Sequence, residues 1–253
     1  MQTNPLISIV TVCYNVASEL PETIESIINQ DYNNIEYIII DGGSSDNSVE
    51  IIKHYEQVAK QKGVYFKWIS EPDNGIYDAM NKGIELATGQ WVNFMNVGDL
   101  PSSGYLSTME SLTDISSEVN IVYGNTRILQ FNKLVIPPKH LKKQSFYYQM
   151  PLCHQSIFYK VSSIKKYNPK FSIIADEVGI YEELINNGSN SFLYLPFEVC
   201  TYSLGGVSEE QIYTMYKQQQ LFLVNIVGLT SVIGLLIYKY LVLKRKLYLW
   251  LVK

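Results

Sequence analysis

Acidic and polar side chains recur where turns follow apolar runs, and these are the residues best suited to chemistry. Asp41 opens the turn Asp41-Gly42-Gly43-Ser44-Ser45-Asp46 directly after the apolar run Ile35 to Ile40. Glycines there let backbone approach a flat ligand closely, and the Asp41 carboxylate can accept hydrogen bonds from a base or a ribose. The same carboxylate, with Asp46, can equally stabilise the turn and cap the helix that follows. Asp99 ends a second such segment, Asn96-Val97-Gly98-Asp99, after Trp91 to Met95. A hard oxygen ligand beside bridging phosphates is what Mg²⁺ or Mn²⁺ needs, with water and substrate completing the shell. The competing reading of Asp99 is a turn residue ahead of Leu100-Pro101. No Gly-x-Gly-x-x-Gly follows the first apolar run and no Gly-x4-Gly-Lys-Ser/Thr occurs, so a dinucleotide fold and a P-loop ATPase lose their main support.

The elements that must position these residues alternate in type. Residues 6–13 form a near-continuous β-branched run, the pattern of a parallel strand covered on both faces. A helix is expected next, capped by Ser18, with Glu19 and Glu22 in its first turn and Leu20, Ile24, Ile27 and Ile28 on one face. A strand at 35–40, a helix at 48–62 closed by Gly63, a strand at 65–69, a helix at 76–88 stopped by Gly89 and a strand at 91–95 follow. Short connections between alternating strands and helices describe an α/β, doubly wound, mostly parallel sheet. Ligands bind such sheets at the carboxyl ends of the strands, so the polar clusters after the first four strands converge on one edge. Beyond residue 100 the pattern suggests a β-hairpin over 119–135, a loop over 137–150, a strand at 155–160, a helix at 178–187 and a strand at 192–195. One body through about residue 210 is the simplest parse.

Charge separates that body from the rest. The 253 residues carry 20 basic and 24 acidic side chains, a net −4, but residues 211–253 hold six basic side chains and no acidic one. Residues 1–210 therefore hold 14 basic and 24 acidic side chains, a net −10. An acidic body argues against a nucleic-acid partner, which wants a basic face on the folded part. The apolar, basic tail fits mooring to an anionic membrane surface. Its run Leu221 to Tyr238 carries no formal charge and as a helix spans roughly 27 Å, close to the ~30 Å hydrocarbon core. A simple crossing places Lys239, Lys244, Arg245, Lys246 and Lys253 opposite a cytoplasmic body, against the positive-inside rule, so a re-entrant or surface-lying hairpin is the expected form. An apolar helix buried in a homodimer is the alternative. Three well-separated cysteines, Cys13, Cys153 and Cys200, offer no disulfide framework or Cys-x-x-Cys zinc site and suit a reducing cytoplasm. The expected location is cytoplasmic, peripheral on the inner face of the cell membrane.

In combination these segments become specific. Ile7-Ser8-Ile9-Val10-Thr11-Val12-Cys13-Tyr14-Asn15, the turn Asp41 to Asp46, the segment Ser70 to Gly83 and the strand ending at Asn96-Val97-Gly98-Asp99 closely resemble family 2 glycosyltransferases. His154-Gln155-Ser156, Ala175-Asp176 and Gly205-Gly206-Val207-Ser208 look like the acceptor-side markers of the subgroup that builds bacterial surface polysaccharides. The resemblance spans residues 6–208. It implies the glycosyltransferase-A fold, a nucleotide-diphosphate sugar donor, a divalent metal (Mn²⁺ or Mg²⁺), inversion at the anomeric carbon and a glycan or lipid-linked acceptor. It divides the body into a nucleotide-sugar-binding half, 1–100, and an acceptor half, 101–210.

Carried over by position, the resemblance puts Asp41 against the nucleoside with Thr11, Tyr14 and Asn15 beside it. Asp73, Asn74, Asp78, Asn81 and Asn96 would line the donor, and Asp99 would hold the metal. The chain departs from the family's Asp-x-Asp at Val97, leaving one anionic ligand that leans on the donor diphosphate. Asp176 would be the base that takes the acceptor hydroxyl proton, with Glu177 as runner-up. A helix cap is the alternative role for either. His154 would contact the diphosphate or metal or orient the acceptor, and Gly205-Gly206 would form a loop near it. The Gln-x-x-Arg-Trp motif of the family's processive synthases is missing, which favours addition of one sugar per encounter. A catalytically silent, membrane-bound assembly partner is the reading from another class, kept alive by Val97. A nucleotidyltransferase is weaker, since residues 13–18 hold no Lys or Arg to grip phosphate.

Overall fold

The computed structural model describes residues 5–109, 115–206 and 211–251, with side chains described through Lys244. Strands β1 (Ile7–Cys13), β2 (Ile35–Asp41), β3 (Tyr65–Ser70) and β4 (Trp91–Phe94) alternate with helices α1 (Leu20–Ile28), α2 (Ser48–Gln61) and α3 (Ile76–Leu86). These strands lie in the order β3-β2-β1-β4 and all run parallel. The sheet continues through β5 (Leu100–Pro101), β6 (Ile121–Ile128), β7 (Lys133–Val135), β8 (Ile157–Lys160) and β9 (Phe192–Tyr202) in the order β4-β8-β6-β9-β5, with β7 on the side of β6. β8 is antiparallel to both β4 and β6, and β6 is parallel to β9. The result is one mixed α/β sheet, parallel from β3 to β4 and mixed beyond it.

Every residue of β1 and β2 is buried, because helices cover both faces. Val10, Val12, Ile38 and Ile40 face one core with α3 and α4 (Ala175–Asn187), whereas Ile7, Ile9, Ile35 and Ile39 face the other with α1 and α2. The strand register sets Cys13 beside Asp41 and Asp41 beside Ser70, so the polar ends of three strands meet at one edge.

Several boundaries differ from expectation. Ser18 does not cap α1: Glu19 occupies that position and Ser18 Oγ donates to the Glu19 carboxylate at 2.7 Å. α3 ends at Leu86, with Ala87 already extended. α4 starts at Ala175, not Val178, which puts Asp176 and Glu177 inside its first turn, and neither makes a side-chain cap hydrogen bond. β9 runs for 11 residues, well beyond 192–195.

The tail is two helices, α5 (Ile212–Asn225) and α6 (Ser231–Leu251). The break between them passes through Gly228 at φ +82°, so the uncharged run 221–238 is not one rod. Among the described residues no helix is long and apolar enough to cross a membrane. Tyr216, Phe222, Leu223, Ile237 and Leu241 instead join the core that holds α3 and α4. Val207-Ser208 and the side chains of Arg245, Lys246 and Lys253, which entered the sequence reading, lie outside the described residues.

Two glycines test this packing in opposite directions. A Cβ at Gly83 would clash with Val10 Cγ1, where α3 lies against β1, whereas at Gly179 on α4 it would meet nothing within 4 Å. Gly83→Ala is expected to cost about 1–3 kcal/mol in urea unfolding, and Gly179→Ala to stabilise by roughly 0.5–1 kcal/mol. Equal effects at the two positions would contradict the described packing.

Candidate active site

At the carboxyl edge of the sheet, the first finding is that Asp41 faces inward. Its side chain is fully buried, and Oδ2 accepts from Gly43 N at 3.1 Å, Ser44 N at 3.0 Å and Ser70 Oγ at 2.6 Å. Oδ1 accepts from Ser44 Oγ at 2.5 Å and Cys13 Sγ at 3.6 Å. Of the two readings of Asp41, the geometry is that of the turn stabiliser: it ties β1, β3 and its own turn together. Burial and this neighbouring carboxylate push the Cys13 thiol well up, so it stays protonated. Asn15, in the left-handed region at φ +52°, braces the same turn by accepting from Ser45 N at 2.8 Å.

Other sequence-marked residues divide into inward and outward sets. Thr11 is buried, donating to Met95 O at 2.7 Å and lying 3.0 Å from Tyr37 Oη. Asn81 exchanges two hydrogen bonds with the Tyr167 backbone, at 3.0 and 2.7 Å. Both side chains are committed to packing. Tyr14 is 61% exposed, and its ring, with the Asp73 carboxylate, stands over Gly42, where a Cβ would fall 2.5 Å from Asp73 Oδ2. A side chain at Gly42 would therefore have to displace the Asp73 carboxylate. Asp73 accepts from Gly75 N at 2.8 Å, and Asp78 accepts from Asn74 N at 3.0 Å, which shapes the loop opening α3.

Asp99 is buried between two distant elements. Gln155 Nε2 donates to its Oδ2 at 2.8 Å and Ser203 N donates to its Oδ1 at 3.0 Å. Burial raises its pKa to about 7 against the lowering effect of those two donors. Asn96, one turn earlier, carries a buried Oδ1 with no hydrogen-bond partner. No group of three His, Cys, Asp or Glu is assembled to hold a metal among the described residues. One carboxylate with spare lone pairs and a nearby neutral oxygen suits a hard divalent ion that draws most of its shell from phosphate and water, and does not suit an all-protein cage.

Asp176 is half-buried at the start of α4. The Tyr77 hydroxyl lies 2.5 Å from its Oδ1 and 3.0 Å from Ile173 O, two acceptors that share one proton. Burial and the adjacent carboxylate hold the Tyr77 phenol well above its usual range, so it remains a donor. Tyr77 sits in the first turn of α3, so this bond joins the loop around Asp73 to Asp176. Glu177 points away: it is buried and accepts from Gln219 Nε2 of α5 at 3.0 Å. His154 is also buried, stacked on Phe94 at 5.1 Å, with Nε2 2.9 Å from Tyr167 Oη. Burial lowers its pKa, so it is neutral. Gly205 and Gly206 are exposed, with open space where side chains would sit.

Residues the sequence reading passed over include Tyr77, Gln155, Ser203 and Gln219. Tyr77 and Gln155 lie inside the marked segments, but nothing in the sequence distinguishes them from their neighbours. Ser203 acts through its backbone N–H, and Gln219 reaches the site only because α5 folds back.

Comparison with known proteins gives a consistent answer. A family model described as Glycosyl transferase family 2 matches residues 8–170. A PGL/p-HBAD biosynthesis glycosyltransferase of Mycobacterium bovis is 30% identical over 176 residues, 68% of this chain and 67% of that one. An uncharacterized glycosyltransferase of Haemophilus influenzae is 39% identical over 121 residues, 48% of this chain and 47% of that one. Among solved structures, S. aureus TarS 1-349 superposes with a TM-score of 0.63 at 15% identity over 93% of this chain and 70% of that one. The mannosyltransferase PcManGT of Pyrobaculum calidifontis, in complex with GDP-Man and Mn²⁺, gives 0.66 at 13% identity over 94% and 70%. At such identities the structural likeness is one of fold.

Glu177 supplies a pH test of the described geometry. Burial raises its pKa from 4.5 to about 8, with the Asp176 charge adding to it and the Gln219 donor opposing. Above the lower value the unfolded chain ionises while the folded one keeps the proton, so stability falls as pH rises from 4.5 toward about 8. Glu177→Gln is expected to melt several degrees above the parent at the upper end of that window and to converge with it below the lower end. A constant difference across the window would contradict the buried, protonated carboxyl.

Proposed function

Because the chain belongs to glycosyl transferase family 2, we propose that it is an inverting glycosyltransferase. It moves a single sugar from a nucleotide-diphosphate sugar to a glycan or polyprenyl-linked acceptor in bacterial surface-polysaccharide synthesis. The observation that carries this reading is the Tyr77–Asp176 hydrogen bond, which sets an acceptor-side carboxylate against the loop that opens α3. Residues 1–100 form the donor half, 101–210 the acceptor half, and 211–253 the membrane-side tail. Structural neighbours support the donor class, since TarS 1-349 is solved in complex with UDP-GlcNAc and PcManGT in complex with GDP-Man and Mn²⁺.

In this reading the donor lies across Gly42, with Tyr14 and Asp73 against the nucleoside and Asn74, Asp78 and Asn96 toward the sugar and phosphates. Asp176 removes the acceptor hydroxyl proton. The freed oxygen pair forms a bond to the anomeric carbon from the face opposite the donor oxygen, and the anomeric carbon–oxygen bond breaks with its pair leaving on the nucleoside diphosphate. Asp99, with Asn96 beside it, would hold a divalent ion whose charge offsets that of the departing diphosphate. Tyr77 fixes the direction of the Asp176 carboxylate, and Gly205-Gly206 leave room for the acceptor. The enzyme is peripheral on the cytoplasmic face of the membrane, where a lipid-linked acceptor would be confined with it.

Asp176→Asn is expected to lower turnover by about 10²–10⁴-fold while nucleotide binding stays intact. Tyr77→Phe should lower it by about fivefold, as loss of one orienting hydrogen bond of ~1 kcal/mol implies. Radiolabelled sugar transfer from UDP-, GDP- and dTDP-sugars to a polyprenyl-diphosphate acceptor measures both. Full turnover by Asp176→Asn would remove the assigned base. No transfer and no nucleotide binding by the wild type would favour the silent assembly partner, to which the lone carboxylate at Asp99 lends support.

A further inference from the structure

The β6–β7 hairpin presents a surface that the transfer reaction does not use. All eight residues from Leu129 to Ile136 are exposed. Five of them are apolar: Leu129 at 55%, Phe131 at 63%, Leu134 at 38%, Val135 at 40% and Ile136 at 62%. Isolated apolar side chains on a surface are ordinary, whereas five exposed ones within eight consecutive residues mark a contact site. No helix or strand of the described residues covers it.

Position and charge narrow what the contact is. β6 is antiparallel to β8, and β8 is antiparallel to β4, so β6 leaves the sheet at the same edge as the segment carrying Asp99. The tip is also tied to that segment. Gln130 Nε2 donates to Leu204 O at 3.2 Å, Leu204 N donates back to Gln130 Oε1 at 3.1 Å, and the adjacent Ser203 N donates to Asp99. From Val119 to Ala175 the chain holds nine Lys and Arg and not one Asp or Glu, although its net charge is −4. Lys133 on the tip and Lys139, Lys142 and Lys143 just after it are exposed and form no ion pair among the described residues. Exposed apolar and aromatic side chains followed closely in the chain by lysines that form no ion pair among the described residues match a bilayer interface carrying anionic headgroups.

We propose that the β6–β7 hairpin is a membrane-inserting wedge. Phe131, Ile136 and their apolar neighbours enter the interfacial region of an anionic bilayer, and the lysines lie against its headgroups. The carboxyl edge with Asp99 then faces the membrane surface, where the head of a lipid-linked acceptor is presented. This goes beyond the tail as a mooring and rests on the membrane-side reading given above. The tail offers a second, separate contact through Val232, Leu236 and Leu243, which are exposed on α6.

Sedimentation of the full-length protein with phosphatidylcholine vesicles, with and without phosphatidylglycerol, tests it. The wild type is expected to bind the anionic vesicles, and the double variant Phe131→Ser/Ile136→Ser to lose about tenfold or more in partitioning with an unchanged melting temperature. Phe131→Trp, which leaves the tip apolar, should shift its emission to the blue on adding the same vesicles, relative to the wild-type spectrum. Wild-type binding by the double variant, with no shift in Phe131→Trp, overturns the wedge. In that case loss of binding in Val232→Ser/Leu236→Ser leaves the membrane-side reading standing on the tail alone. A wild type that binds neither vesicle sinks both. A dimer in sedimentation equilibrium that the double variant dissolves reassigns the patch to self-association.

Discussion

A buried carboxylate without a cation beside it is the constraint around which the carboxyl edge is built. Asp99 is taken out of water in the turn after β4, and among the described residues its charge is answered by an amide from Gln155 and a backbone N–H from Ser203. Two neutral donors recover part of the cost of desolvating an anion, and the rest appears as a raised pKa. The elements that supply those donors are far apart in sequence. Gln155 belongs to the 3₁₀ turn before β8, and Ser203 follows β9, so the antiparallel half of the sheet must be in place before Asp99 is held. The parallel half contributes the turn that Asp41 fastens, and Tyr77 joins the two halves through Asp176.

The parallel half was legible because its residues follow simple periodicities. Near-continuous apolar runs at 7–13 and 35–41 match strands buried on both faces, and Leu20, Ile24, Ile27 and Ile28 line one side of α1. The direction in which polar residues of such strands point was not legible. Thr11 and Asp41 sit in or at the end of strands covered on both sides, so alternation carries no inside–outside signal, and both turned inward. β9 was read short because Pro196 and Glu198 interrupt the apolar pattern. In the structure Glu198 is paired with Arg127 across the β6–β9 ladder, at a register irregularity next to Gly124. α4 was read three residues late because its first turn is acidic, a composition that suits the positive end of the helix dipole.

The tail and the hairpin show how fold changes the meaning of the same residues. An uncharged stretch from Leu221 to Tyr238 has the length of a membrane span, yet Gly228 breaks it and the two resulting helices pack into the core that holds α3 and α4. Gln218 and Gln219 then bond to Ile173 N and Glu177, which makes the tail part of the support for the first turn of α4. Conversely, residues 129–136 read only as half of a hairpin, and their exposure at the carboxyl edge became visible once the strand order was known.

The central claim is that this edge binds a nucleotide diphosphate through Asp99 and a divalent ion. Isothermal titration of UDP and GDP into the protein, with and without Mn²⁺, measures it most directly when repeated on Asp99→Asn. The account predicts binding that requires Mn²⁺ in the wild type and is lost in Asp99→Asn although that variant keeps its fold. Equal, Mn²⁺-independent affinity in the two proteins would contradict it.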